Sequence, residues 1–267
     1  MDIATLLGFL SGMGLIGWAI WSYAQEQAVN MFFSIPSLAI VLGGTIAATM
    51  LSFPLKEVLR IFGIMRVVFK KERESMAPFI DEIVDLASTA RTSMKELEQS
   101  TSGIPHPFLR DGIQMVVDGY NEPELRDIMT TRIENRAKRE RGEANVLKTM
   151  GKFSPAFGMI GTLIGLVVML YSMGQGATAD AAAQLGIGMG AALITTFYGV
   201  LLANLFFNPM AEKFESRIRK ENTLQLMLIE GTVQILHRKH PLIVREKLNS
   251  FIPPREWKKP GDQTSAE

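Results

Sequence analysis

"SPAFGMIGTLIGLVVML" spans residues 154–170. It sets Pro155, Gly158, Gly161, Gly165 and Thr162 in an otherwise apolar run. A phosphate-binding loop needs a Gly-Lys-Ser/Thr ending and a basic neighbour, and neither is present. What fits is a membrane helix with one small-residue face. The charges outside the stretch agree. Of the 28 Lys and Arg, 17 lie in 56–152 and 11 in 213–259, with none in 1–55 or 153–211. The two uncharged regions hold only Asp2, Glu26 and Asp180 as acids. A net charge of +1 says little, whereas its segregation predicts a membrane chain with two wet segments.

Roughly 20 apolar residues cross a bilayer. Four segments qualify, about 3–24, 31–53, 153–174 and 183–208. The first lacks the basic flank of a secretory signal and reads as a retained span. Four spans put both termini on the side of the long 54–152 segment. Its Lys and Arg make that side cytoplasmic. Loops near 25–30 and 175–182 face outward, and Trp18, Trp21 and Tyr23 suit the outer interface. The fold class is therefore an all-α membrane protein: four transmembrane helices with a large helical cytoplasmic region. Its parts are 1–53 (helices 1–2), 54–152 (cytoplasmic), 153–208 (helices 3–4) and 209–267 (cytoplasmic helix and tail). Apolar spacing predicts cytoplasmic helices over 54–75, 77–100, 106–119 and 122–153, the last leading into span three. The tail 211–250 is amphipathic, and "PPREWKKPGDQTSAE" at the end reads as disordered.

With no cysteine, disulfides and thiolate metal sites are excluded. His237 and His240 sit in the basic patch "HRKHP" and read as solvated surface. No span holds an Asp, Glu, Lys, Arg or His in its interior, so the spans carry no proton relay of their own. They offer hydroxyls instead: Thr162 on span three, and Thr195, Thr196 and Tyr198 on span four. Such oxygens can dehydrate a hard cation, or merely join helices. The pairs Gly8/Gly12, Gly161/Gly165 and Gly186/Gly190 predict close helix packing. Pro155 and Pro209 bracket the last two spans, as boundaries or as hinges. An intramembrane enzyme is excluded, because no span holds a metal site, an aspartate pair or a Ser/His couple.

Three stretches together, "PSLAIVLGGTIAATMLSFP" (36–54), "SPAFGMIGTLIGLVVML" (154–170) and "ALITTFYGVLLANLFFNPMAEK" (192–213), resemble the MotA/PomA family of flagellar stator A subunits. That family lies within the MotA/TolQ/ExbB superfamily. The resemblance implies a non-enzymatic motor component with no cofactor beyond the transported Na+ or H+. Five A subunits would surround two B subunits of MotB/PomB type in the bacterial inner membrane. The B subunits would supply the ion-binding aspartate. The cytoplasmic helices would push the rotor protein FliG, and no nucleic acid is involved. By motif, Thr162, Thr195 and Thr196 match the ion path of the sodium-driven branch, and Pro155 and Pro209 the coupling prolines. Arg91 and Glu98 match the rotor-facing pair, although here the spacing is shorter and the family's glycine is missing. The resemblance favours sodium over protons. The alternative is a MotA/TolQ/ExbB-type energiser of a non-flagellar envelope machine.

Overall fold

The computed structural model describes residues 3–23, 32–68, 75–174 and 179–257. The described residues are helical, without strands. In order they form α1 (Ile3–Tyr23), α2 (Ile35–Ser52), α3 (Leu55–Val68), α4 (Ala77–Thr92), α5 (Met94–Thr101) and α6 (Pro107–Val117). Next come α7 (Glu122–Gly174), α8 (Ala179–Leu201), a π turn (Leu202–Phe207), α9 (Asn208–Leu236), α10 (Pro241–Asn249) and a 3-10 turn (Pro254–Glu256). Four helical stretches are long and apolar enough to cross a membrane. The chain divides into two compact units. The first comprises Met1–Lys71 and Arg141–Ser216, the second Glu72–Glu140 and Arg217–Glu267.

The first unit wears its apolar side chains outward. Leu163, Val167 and Leu170 on α7 and Leu193 on α8 are all exposed. In water such a surface would be unstable, and in hydrocarbon it is the favoured one. The buried face of α2 is the more polar one: Ser37, Val41, Thr45 and Thr49 recur every fourth residue. Ser34 caps α2, accepting from the Ser37 backbone N–H at 3.4 Å. The helix starts later than the apolar run because Pro36 suits only a first turn. Its 18 residues span about 27 Å at the α-helical rise. α1 rests on the π turn through Phe9 against Phe206, with ring centroids 6.4 Å apart. Gly12 leaves room there for the Leu205 side chain.

The second unit has a conventional core. Ile80, Ile83, Leu97, Leu109, Ile113, Leu125, Met129, Met227, Leu228 and Leu248 are buried there. Each contributes about 1.5–3 kcal/mol by leaving water. Around this core, Arg126 on α7 reaches Glu122 at 2.7 Å and Glu230 on α9 at 3.1 Å. His237 meets Glu122 at 2.6 Å, and Lys247 on α10 meets Glu230 at 3.3 Å. Hydrogen bonds from Arg126 and then His237 hold the Glu122 carboxyl below the ordinary carboxylate range. Burial pushes Glu230 up, but bonds from Arg126, Gln234 and Lys247 outweigh it and leave that carboxyl low as well.

Three expectations change. The helix expected over 77–100 is two helices, α4 and α5, divided at Ser93. Ser93 is extended (φ −156°, ψ 124°), and its hydroxyl accepts from the Glu96 N–H at 3.4 Å. "SMKE" (93–96) thus acts as the N-terminal cap of a new helix. The expected disorder fails for residues 253–257. Trp257 donates its indole N–H to the carbonyls of Asn249 (2.9 Å) and Ile252 (3.1 Å). Residues 258–267 of that tail, and most of the two outer loops, lie outside the described residues. The histidines are also more engaged than solvated surface implies. His237 pairs with Glu122, and the His240 ring caps α10 by accepting from the Leu242 N–H at 3.3 Å.

Candidate ion-path site between two membrane helices

α7 and α8 run antiparallel along a seam of small residues. A Cβ on Gly158 would stand 3.0 Å from the Thr195 carbonyl oxygen and 3.2 Å from Thr196 Cα. One on Gly161 would stand 2.6 Å from Thr195 Cβ, and one on Gly165 3.0 Å from the Gly188 carbonyl oxygen. From the other side, a Cβ on Gly199 would lie 2.6 Å from the Ser154 carbonyl oxygen. The buried Ser154 hydroxyl fastens this end by donating to the Gly199 carbonyl at 3.1 Å. Backbones this close require glycine, so the residues on either side of the seam meet directly. Gly161 and Gly165 belong to the seam as the sequence predicts. On α8 the register differs. Gly188 and Gly199 take part, whereas Gly186 and Gly190 face open space within this chain.

The seam brings Thr162 and Thr196 together, with hydroxyl oxygens 3.0 Å apart. Thr162 also donates to the Gly158 carbonyl at 3.0 Å, a better bond than the 3.5 Å contact from Thr196 to the same oxygen. Either hydroxyl could be the donor between them. Both threonines are half-buried. In either order each oxygen keeps at least one lone pair beyond this bond, so the pair places two neutral oxygen acceptors at one point. Thr195 is different. It is buried, its hydroxyl donates to the Ala192 carbonyl at 2.7 Å, and its methyl side packs on Gly161. Beside it, a groove of ≈ 450 Å³ is lined by Ser37, Gly161, Gly165, Gly188 and Thr195, among others.

Tyr198 points elsewhere than the sequence suggests. Its hydroxyl donates to the Phe32 carbonyl and accepts from the Ser34 N–H at 3.2 Å, so it holds the start of α2 to α8. Both prolines lie inside continuous helix. α7 passes through Pro155 without ending. Before Pro209 the helix widens into the π turn, and the Asn208 N–H reaches back five residues to the Ala203 carbonyl. Single π turns of this kind are frequent at functional sites. The sequence carries no direct signal for a π turn beyond the proline that follows it. Arg91 lies in the last turn of α4 and Glu98 on α5, both exposed in the second unit. Among the described residues, no group of three His, Asp or Glu side chains could hold a metal.

The sequence profile of the MotA/TolQ/ExbB proton channel family matches residues 100–225. Motility protein A of Borreliella burgdorferi is 32% identical over 96% of this chain and 96% of its own length. The chain belongs to the MotA/PomA family of flagellar stator A subunits. The uncharacterized protein YtxD of Bacillus subtilis is also 32% identical, over 100% of this chain and 96% of its own. A chain of the flagellar MotAB stator complex from Bacillus subtilis has the same fold, with a TM-score of 0.84 at 26% identity. The match covers 94% of this chain and 96% of that one. Members of the MotA/PomA family are ion-channel stator components rather than enzymes. Within that family the four apolar helices are those of a multi-pass membrane protein.

Proposed function

We propose that this chain is the A subunit of a stator that turns sodium flow, in preference to proton flow, into torque on the flagellar rotor. The Thr162–Thr196 pair carries the reading. A sodium ion leaving water needs oxygen ligands, and this pair presents neutral acceptors at one point between two apolar helices. A proton path needs a titratable group, which a threonine hydroxyl does not supply. The spans lack a carboxylate, so the counter-charge comes from a B subunit placed against the α7–α8 face. In low dielectric the attraction between that carboxylate and the ion far exceeds its value in water. The hydroxyls then complete a shell that one carboxylate cannot close.

The assembly in this reading is a pentamer of A subunits around two B subunits in the inner membrane. The termini and the second unit are cytoplasmic, where Arg91 and Glu98 face the rotor protein FliG. Pro155 and Pro209 allow α7 and the α8–α9 helix to flex when the ion site fills. Thr195 supports the path by holding the seam closed. The test replaces the cell's own A subunit with this chain and its B partner. Thr162→Ala and Thr196→Ala should each slow rotation at fixed sodium while the complex still assembles. Full speed in both variants would remove the ion-path role. Reversing Arg91 and Glu98 to opposite charges should weaken rotation, and no change would make them ordinary surface.

A further inference from the structure

The two proline turns meet at one side chain. Pro155 has no N–H to give, so the Gly151 carbonyl, four residues earlier, loses its helical donor. Gly151 is buried, and the Asn208 carboxamide lies against it. A Cβ on Gly151 would stand 2.1 Å from Asn208 Oδ1 and 3.0 Å from its Cγ. Asn208 is also the residue whose backbone N–H closes the π turn onto Ala203, immediately before Pro209. One residue therefore belongs to the loosened turn on one helix and touches the loosened turn on the other. Glycine in a helix interior costs about 0.5–1 kcal/mol relative to alanine. The seated carboxamide gives a reason for that cost at position 151.

We infer that Asn208 is a positioning residue, a latch seated on Gly151 that makes the Pro155 and Pro209 turns shift together. The inference rests on the proposed coupling role of the two prolines. Without the latch, each turn flexes alone and part of the movement at the ion site is lost before it reaches the cytoplasmic helices.

Gly151→Ala, Asn208→Ala and the double variant test it in the assembled stator. Oδ1 is the free end of an otherwise exposed side chain, so Gly151→Ala expels the carboxamide without breaking the fold. The purified complex should melt at the same temperature or higher, since alanine is the better helix former. Rotation at fixed load should nevertheless slow about threefold or more, the scale of a lost coupling contact. Ion influx should persist, so that speed per ion falls. Asn208→Ala should fall by the same factor, and the double variant no further than either single one. Full speed in either single variant, losses that multiply in the double, or influx that drops in step with speed would each overturn the latch. Pro155→Ala separates the layers. If it rotates at full speed, the coupling role fails and the latch with it. If it slows rotation while the latch variants do not, the latch alone fails.

Discussion

Thr162 matters for what its oxygen has left after satisfying the helix. Its proton goes back to Gly158, as membrane threonines often arrange. Beyond its bond with Thr196, the oxygen keeps a lone pair for whatever lies between the helices. Thr162→Ser keeps the oxygen and should retain most of the rotation speed. Thr162→Val keeps the shape without the oxygen and should lose it. Equal speeds in the two variants would mean that the side chain only fills space. That spans three and four carry threonine hydroxyls was readable in the sequence. The meeting of Thr162 and Thr196 was not, since it depends on how α7 and α8 are rotated against each other. Thr195, adjacent to Thr196 in the chain, falls 100° around the helix and into the seam, where its hydroxyl is spent on Ala192.

The seam and the Ser93 break show which element-level signals a sequence carries. The four spans were legible because length and hydropathy suffice to define them. The Gly186/Gly190 pair misled because every glycine reads alike until a partner helix sets the phase. Packing instead selected Gly188 and Gly199 together with Ala192 and Thr195. Gly199→Ala forces a Cβ to 2.6 Å from the Ser154 carbonyl oxygen, a backbone atom that cannot swing aside. Overpacking of this kind costs about 1–3 kcal/mol, and the variant should accumulate less folded protein in the membrane. Gly190→Ala should leave the seam intact and keep its melting temperature. The break between α4 and α5 has a local signal in the Ser-x-x-Glu pattern of "SMKE", of which the Ser93 half forms, but apolar spacing continues on both sides and hides it. Ser93→Ala removes the cap and should cost about 1 kcal/mol, measured by thermal unfolding of the complex.

For the whole chain, charge marks the division: the outward apolar helices belong to the first unit, and the largest ion-pair network to the second. The second unit is held by α7, α9 and α10 through Glu122, Arg126, Glu230, His237 and Lys247. Both carboxyls are held below their ordinary value of 4.5. Groups whose folded pKa is depressed stabilise the fold above their unfolded pKa and lose that contribution as pH falls through the folded one. The melting temperature should therefore drop on acidification below about pH 4.5, and Glu122→Gln should flatten that dependence. The central claim concerns the ion, and rotation speed measured against external sodium tests it most directly, in motors built from this chain and its B partner. Speed should rise with sodium, vanish without it, and survive a proton uncoupler while sodium remains. Rotation that continues without sodium and stops with the uncoupler would contradict the account.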